Sequence, residues 1–253
     1  MAPKSTQAFT RKLLRWYGQH ARDLPWRRTR DPYRVIVSEF MLQQTQVSRV
    51  SEFYPRFLKR FPTVYDLAKA KPKAVREAWD GLGYYARASN LHALARVVSK
   101  TMNGKLPDDT EKLDDLPGVG RYTAGAVACF AYEQSVPAVD TNVKRVLERV
   151  FLKGEGRREK DVWVLAKRLV PKDGKRAWRF NQALMELGAL VCTARSPKCP
   201  KCPVRNECVY WFTNPGRKPG VNEKGTPTSS PSRRVKPAAR TRPRSSQRSP
   251  VAS

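Results

Sequence analysis

Apolar residues recur at helical spacing along most of the chain, and this periodicity limits the fold more than any other feature. A clear example is the face formed by Leu91, Leu94, Ala95 and Val98. Alternating apolar and polar runs bounded by turns, the signature of strands, are scarce. The sequence therefore predicts an all-α protein of about ten helices.

Capping residues mark two helix starts. Asp31 precedes Pro32, which is the usual pairing of an N-cap with a first-turn proline. Asp140 precedes a second amphipathic run, whose apolar members are Val143, Val146, Leu147 and Val150. We expect a helix to begin at each of these two points.

Positive charge dominates the composition. The 50 Lys and Arg residues exceed the 22 Asp and Glu residues by 28, and without residues 213–253 the excess is still 19. Such a balance favours a polyanionic partner, although a generically basic protein fits the charge equally well. No apolar run reaches the roughly 18 residues of a membrane helix, and the N-terminus has no signal core. We expect a cytoplasmic, nucleoid-associated protein.

The segment 213–253 differs from the rest of the chain. Aromatic residues are absent from it, and Pro, Ser and Arg dominate, so it has little apolar surface to bury. We expect this basic tail to be disordered and to add sequence-independent affinity for a polyanionic partner.

Four closely spaced cysteines predict a metal centre. They follow the pattern Cys192-x6-Cys199-x2-Cys202-x5-Cys208. Structural zinc sites usually pair two Cys-x-x-Cys knuckles, whereas this run has one, which favours a [4Fe–4S] cluster while leaving zinc open. Cys129 lies in an apolar helical run and is expected to be a buried core residue.

A glycine-rich turn lies between two helical patterns, in the sequence Leu116-Pro117-Gly118-Val119-Gly120. Its glycines allow close backbone approach, and the N–H groups of the turn and the following helix can bind a phosphate. An ordinary helix connection explains these five residues by themselves, but together with the basic charge and the cysteines they favour a DNA-binding hairpin.

Two carboxylates are candidate catalytic groups. Glu39 has apolar neighbours on both sides, so burial is expected to raise its pKa and keep it protonated. Asp140, as a helix N-cap, is expected to stay ionised. One acid and one anion are what glycoside-type hydrolysis requires. Gln43 and Gln44 follow Glu39 and offer uncharged groups that can read base edges.

These elements, in this order, resemble the catalytic region of the MutY adenine DNA glycosylases, which belong to the endonuclease III superfamily. The resemblance covers about residues 10 to 210. The matching segments are 24–27, 38–47, 81–87, 116–120, 139–143 and the four cysteines. It implies two helical lobes with DNA in the cleft between them: a six-helix module at 30–135, and a cluster lobe formed by 1–29 and 136–212.

The resemblance also implies residue roles. Glu39 protonates a flipped adenine and Asp140 stabilises the sugar cation, supported by Asn142 and Tyr122. The residues that match DNA-binding or base-binding positions are Arg27, Gln43, Gln44, Tyr84, Leu116, Gly118, Gly120 and Gln182. The implied substrate is double-stranded DNA with a mismatched or oxidised base pair, bound by a monomer.

Position 122 separates two branches of the superfamily. Bifunctional relatives have there the lysine that forms a Schiff base, whereas this chain has Tyr122, which predicts a monofunctional glycosylase. The usual Asp-Gly-Asn is Asp140-Thr141-Asn142 here, and the tail stands where MutY proteins have an 8-oxoguanine-sensing domain. A T·G mismatch thymine glycosylase is therefore an alternative, and a non-catalytic cluster-bearing DNA-binding module is a second one.

Overall fold

Helices form all the regular structure in the part of the chain that the computed structural model describes, residues 3–153 and 156–214. The α-helices are α1 Pro3–His20, α2 Pro32–Leu42, α3 Val47–Arg60, α4 Val64–Lys69, α5 Pro72–Trp79, α6 Ala86–Thr101, α7 Thr110–Asp114, α8 Arg121–Phe130, α9 Thr141–Phe151, α10 Glu159–Leu169, α11 Gly174–Leu190 and α12 Val209–Thr213. Short 3-10 helices lie at Pro25–Arg27, Cys199–Lys201 and Arg205–Glu207. The all-α prediction is confirmed.

The structure contains more helices than the roughly ten that periodicity predicts. The difference comes from short elements such as α4, α7 and α12, because one or two turns are too few to show a repeating apolar face. Of the predicted disordered tail, Thr213 ends α12 and Asn214 follows it, and the rest lies outside the described residues. None of the described helices is long and apolar enough to cross a membrane.

The first hydrophobic core is built mainly from the helices between α2 and α8. Trp79 is fully buried there and packs edge-on against Phe57, with ring centroids 5.8 Å apart. Leu24 and Trp26, which the sequence analysis grouped with the other lobe, also pack in this core, and Trp26 meets Tyr54 at 5.7 Å. The chain therefore enters the first core before α2 begins.

The second hydrophobic core is built from α1, α9, α10 and α11. Phe9 of α1 packs against Phe151 and Phe180, with ring centroids 4.9 and 6.4 Å away. Val204, between the last two 3-10 helices, is also fully buried in this core. The cysteine-bearing segment is thereby fixed to the same core as α9 and α11.

Two close contacts set the position of the helices around the site. Gly188 of α11 lies so near the start of α9 that a Cβ atom there would come within 2.6 Å of the Asn142 Cβ. Arg121, the first residue of α8, stacks on Trp163 of α10 at 4.0 Å. The first turns of α8 and α9 are therefore held by α10 and α11.

Candidate active site

Glu39 lies in the last turns of α2, a helix that is buried on nearly every side. Asp31 caps the helix by accepting a hydrogen bond from the Arg34 N–H at 2.9 Å, as the sequence predicts, and Pro32 opens the first turn. The side chain of Glu39 is only 4% exposed, and its Oε2 accepts a hydrogen bond from the Tyr122 hydroxyl at 2.7 Å. A carboxyl group thus sits inside the protein with a single polar partner on α8.

Burial controls the acidity of this group. It raises the pKa of Glu39 to about 7, although the Tyr122 hydrogen bond and the charge of Arg27 lower it. The charge of Asp140 raises it further. The expected direction is found, and near neutral pH a large fraction of Glu39 carries a proton.

Asp140 is the N-cap of α9. Its Oδ1 accepts a hydrogen bond from the Val143 N–H at 2.7 Å, and its Oδ2 accepts one from the Asn142 side chain at 2.9 Å. Burial nevertheless raises the pKa of Asp140, while these hydrogen bonds and the charge of Arg145 oppose the rise. The two carboxyl environments therefore shift pKa in the same direction, whereas the sequence analysis expected them to diverge, because desolvation outweighs the helix N-terminus.

The structure brings the two carboxylates together, which sequence alone cannot do. Asp140 interacts electrostatically with Glu39, and both interact with Tyr122. Burial raises the pKa of Tyr122 well above its usual range, so the phenol remains a hydrogen-bond donor. Tyr122 contacts Glu39 directly, whereas the resemblance suggested support for Asp140. Side chains from α2, α8 and the start of α9 thus meet at one point between the two cores.

A buried ion network borders this point. Arg27 donates to the Gln182 Oε1 at 2.7 Å and to the Glu186 Oε2 at 2.7 Å. Glu186 is fully buried and also binds Arg22 at 2.6 Å. Burial raises the pKa of Glu186, but the two arginines overcome this and the net pKa is lowered.

The network fixes the side chains of Arg27 and Gln182 through contacts that the sequence did not predict. The side chain of Arg27 is only 9% exposed, so its guanidinium serves Gln182 and Glu186. Sequence reasoning missed Glu186 and Arg22. One signal was available, since Glu186 lies four residues after Gln182 and so shares its face of α11.

Two loops beside α2 present the candidate base-stack residues. Gln44 has φ +54° and Tyr84 has φ +47°, so both are non-glycine residues in the left-handed region. Gln44 is exposed, and Tyr84 is 63% exposed, whereas Gln43 is partly buried at the end of α2. Tyr84 is therefore a surface residue and not part of the core.

The predicted hairpin joins α7 to α8. Gly118 is exposed with φ +74°, and a Cβ there would come within 2.6 Å of the Asn90 Cβ, so glycine is required on both counts. Gly120 is the exposed N-cap of α8. Leu116 is buried in the first core, so a DNA contact at this position falls to its backbone.

All four predicted cysteine ligands line one cavity, which is partly open to solvent. Among residues 3–153 and 156–214, no three His, Cys, Asp or Glu side chains are grouped closely enough to hold a single metal ion. Four thiolates around one cavity are the donor set of a [4Fe–4S] cluster, so the residues fit that group. Cys129 is fully buried elsewhere, where its sulfur receives a hydrogen bond from Asn181 at 3.2 Å.

Two arginines of α9 connect the cysteine segment to the rest of the site. Arg149 donates to the Thr193 and Ala194 carbonyls at 2.7 and 2.8 Å. Arg145 donates to the Cys192 carbonyl at 2.8 Å and to the Asn142 Oδ1 at 2.7 Å. Asn142, which donates to Asp140, is therefore linked to the Cys192 carbonyl through two hydrogen bonds from Arg145.

The helical fold and the α7–α8 turn define a helix-hairpin-helix protein. The family model of the HhH-GPD superfamily of base excision DNA repair proteins matches residues 37–172. The chain belongs to this superfamily.

Individual relatives add detail. The chain is similar to the adenine DNA glycosylase of Rattus norvegicus, with 48% identity over 214 residues that cover 79% of this chain and 41% of the rat protein. It is also similar to the adenine DNA glycosylase of Mycolicibacterium smegmatis, with 48% identity over 196 residues, 76% of this chain and 66% of that protein. The chain thus spans about two fifths of the length of the rat relative.

One solved structure is close in both length and fold. The structure of a thermostable thymine-DNA glycosylase superposes with a TM-score of 0.78 at 34% identity, covering 83% of this chain and 98% of that one. The two proteins therefore share their fold over most of both chains.

Proposed function

We propose that this chain is a monofunctional DNA glycosylase of base excision repair, which hydrolyses the N-glycosidic bond of adenine mispaired with guanine or 8-oxoguanine. The observation that carries the proposal is the buried Glu39, whose pKa is raised to about 7 and which interacts electrostatically with Asp140. Identity of 48% to adenine DNA glycosylases supports adenine as the base.

Glu39 supplies the proton. Because Tyr122 donates to Oε2, the proton of the neutral acid resides on Oε1 and is available to a base placed beside it. Transfer of this proton to a purine ring nitrogen makes adenine a neutral leaving group as its bond to the sugar C1′ breaks. The pair of electrons from that bond leaves with the base.

Asp140 stabilises the sugar that remains. Its carboxylate is fixed by Val143 and Asn142, so it need not reorganise as positive charge develops at C1′. Water then adds its oxygen to C1′ and releases a proton, which restores the acid on Glu39. The products are free adenine and an abasic site.

Tyr122 supports the monofunctional assignment. A phenol cannot form a Schiff base with the sugar, and this phenol is already committed to Glu39. We expect borohydride to trap no covalent adduct between the enzyme and DNA. Efficient trapping at an active-site amine would contradict the assignment.

Recognition of the base and the duplex involves several elements. Gln182 accepts a hydrogen bond from Arg27, whose charge acts on Glu39, and is suited to contact the adenine edge. The Gly118 and Gly120 turn is suited to bind a phosphate through backbone N–H groups. Exposed Gln44 and Tyr84, with Gln43 beside them, are suited to enter the base stack.

The two cores supply the larger architecture. We place double-stranded DNA in the cleft between a six-helix module, residues 30–135, and a lobe formed by 1–29 and 136–212. Leu24 and Trp26, which lie in the segment 1–29, pack into the core of the module. The enzyme acts as a monomer in the cytoplasm, on the nucleoid. The net charge of +28 favours this polyanionic partner.

Cys192, Cys199, Cys202 and Cys208 would hold a [4Fe–4S] cluster. The spacing of the cysteines supports a cluster over zinc, because the run has one Cys-x-x-Cys pair where structural zinc sites usually have two. When bound, the cluster would link the four cysteine thiolates and so tie the proline-rich segment 192–208 into one structure. Iron and acid-labile sulfide in the purified protein are expected, and stoichiometric zinc instead would refute the cluster.

A thymine glycosylase acting on T·G mismatches is the second candidate. The match to a thermostable thymine-DNA glycosylase, which covers 98% of that chain, favours it. Higher identity to adenine DNA glycosylases, together with Gln43, Gln44 and Gln182, favours adenine.

Single-turnover base release separates these possibilities. The measurement uses duplexes that carry A·8-oxoguanine, A·G or T·G pairs, with enzyme in excess. We expect adenine release from the first two duplexes. Thymine release alone would support the second candidate, and no release from any duplex would support a non-catalytic DNA-binding module.

A further inference from the structure

Arg87 ends the Gly81–Arg87 motif, and its guanidinium is an unusually connected buried cation. The residue lies in the first turn of α6 and is only 8% exposed. One terminal nitrogen, Nη1, contacts three carbonyl oxygens at the end of α2. These are the carbonyls of Phe40, Met41 and Gln43, at 2.9, 2.8 and 2.6 Å.

The other terminal nitrogen serves a different loop. Nη2 contacts the carbonyls of Leu82 and Gly83, each at 3.1 Å, in the segment between α5 and α6. One planar side chain therefore joins two segments that are distant in sequence. A guanidinium is suited to this because its N–H groups diverge in one plane, whereas a lysine ammonium is a single point donor.

The joined segments carry the two exposed left-handed residues described above. Gln44 follows Gln43 directly, and Tyr84 follows Gly83 directly. Non-glycine residues in this backbone region are strained and persist where the surroundings fix them. Bonds from Arg87 to the preceding carbonyls are suited to fix both.

Aromatic contacts extend the same arrangement to the surface. The Arg87 Cζ lies 5.4 Å from the ring centroid of buried Trp79 and 5.5 Å from that of Tyr84. The guanidinium therefore contacts both Trp79 in the first core and the exposed Tyr84 ring. Tyr84 is thus supported on its inner side although most of its surface faces solvent.

We propose that Arg87 is a positioning residue that locks Gln44 and Tyr84 into one rigid wedge, which opens the base stack beside the target nucleotide. Because it binds the last carbonyls of α2, the same side chain also fixes the wedge relative to Glu39, which directly precedes Phe40. The proposal rests on the proposed function, since a wedge is needed only where a base leaves the stack.

The test compares Arg87→Lys with the wild type and with Arg49→Lys. Lysine keeps the positive charge at 87 but cannot reach five carbonyls on two loops. Arg49 is a matched control, because it makes a single bond to the same loop, from its Nε to the Gly81 carbonyl at 3.1 Å, and is about half exposed. Three quantities are measured: amide hydrogen exchange without DNA, fluorescence of 2-aminopurine beside the target adenine, and single-turnover adenine release.

We expect Arg87→Lys to speed exchange about tenfold or more in both loops, near residues 40–45 and 81–86, while α9 and α11 keep their protection. The 2-aminopurine signal on binding and the rate of adenine release are expected to fall about tenfold or more, with DNA affinity within about threefold. Arg49→Lys is expected to match the wild type in all three.

The proposal is overturned if Arg87→Lys exchanges like the wild type in both loops, or if protection is lost uniformly because the whole fold is weakened. It is equally overturned if the loops loosen but stack opening and adenine release are unchanged. Should the wild type release no adenine, the proposed function fails, yet the exchange comparison in free protein still decides whether Arg87 joins the two loops.

Discussion

At the scale of single residues, the candidate chemistry depends on one buried carboxyl group. The pKa of Glu39 is raised to about 7 because the side chain is desolvated and accepts only one hydrogen bond. The same residue type on the surface of α5, Glu77, is exposed and pairs with Arg60. Environment, not residue type, makes Glu39 a proton donor.

Replacing Glu39 by glutamine tests this role. The amide keeps the size of the side chain and an oxygen for Tyr122, but it has no acidic proton. We expect the single-turnover rate of adenine release to fall about 10²- to 10⁴-fold, with DNA affinity nearly unchanged. Glu77→Gln is the control and is expected to keep the wild-type rate.

The pH dependence of the wild type follows from the same pKa. The acid must be protonated to act, so the rate of base release is expected to fall as pH rises above about 7. A rate that rises with pH through 7 would contradict a proton-donating Glu39. The measurement is a pH profile of single-turnover release.

The stability of the fold depends on the same group and is expected to fall with rising pH, as the rate does. Because folding raises the pKa of Glu39 from 4.5 to about 7, the folded state binds more protons than the unfolded state between these values. Stability is therefore lost as pH rises through this window. Glu39→Gln is expected to increase the free energy of unfolding by about 1–3 kcal/mol at pH 8 and by much less at pH 4, measured by urea denaturation.

At the scale of elements, the site depends on how closely α11 approaches the start of α9. Gly188 permits this approach, since a Cβ would meet the Cβ and backbone oxygen of Asn142 at 2.6 and 3.0 Å. We expect Gly188→Ala to destabilise the fold by about 1–3 kcal/mol and to slow base release, because the turn that holds Asp140 must shift.

Gly18→Ala is the matched control. Gly18 lies in α1, where a Cβ would meet only the end of the Arg179 side chain at 3.9 Å. This substitution is expected to be neutral or stabilising by up to about 1 kcal/mol. If both variants had the same stability and rate, close packing at Gly188 would not matter to the site.

Features encoded by neighbouring residues were predictable from the sequence. The N-caps Asp31 and Asp140, the turn at Gly118 and the burial of Glu39 all follow from short patterns. The approach of Glu39 to Asp140 was not predictable, because it requires α2 and α9 to pack in one fold. The rise in the pKa of Asp140 depends on the same packing, since burial outweighs its local hydrogen bonds.

Hydrogen bonds and ion pairs between segments that are distant in the chain could not be predicted from the sequence. Glu186 binds Arg22 and Arg27 from the other end of the chain. The carbonyls bound by Arg87 give no sequence signal, since every residue has one. Only the path of the backbone reveals such contacts.

At the scale of the whole molecule, charge predicts how DNA affinity depends on salt. Ten of the 50 Lys and Arg residues lie in 213–253, whose structure beyond Asn214 is outside the described residues. If this tail binds phosphates, its removal is expected to flatten the slope of log affinity against log salt, while single-turnover base release at saturating enzyme stays unchanged.

A neutral tail of the same length is the control for this deletion. It separates the charge of residues 213–253 from their bulk. A salt slope that is the same for all three proteins would show that the tail makes no phosphate contacts.

The central claim is that Glu39 and Asp140 together hydrolyse the bond between adenine and its sugar. The most direct test is single-turnover adenine release from an A·8-oxoguanine duplex by wild type, Asp140→Asn and Asp173→Asn. Asparagine is a good N-cap, so both variants are expected to fold, and Asp173 is a matched N-cap on α11 that accepts from the Arg176 N–H at 2.7 Å. We expect Asp140→Asn to lose about a hundredfold or more in rate and Asp173→Asn to keep it. Wild-type release from Asp140→Asn, or no adenine release from the wild type, would contradict the claim.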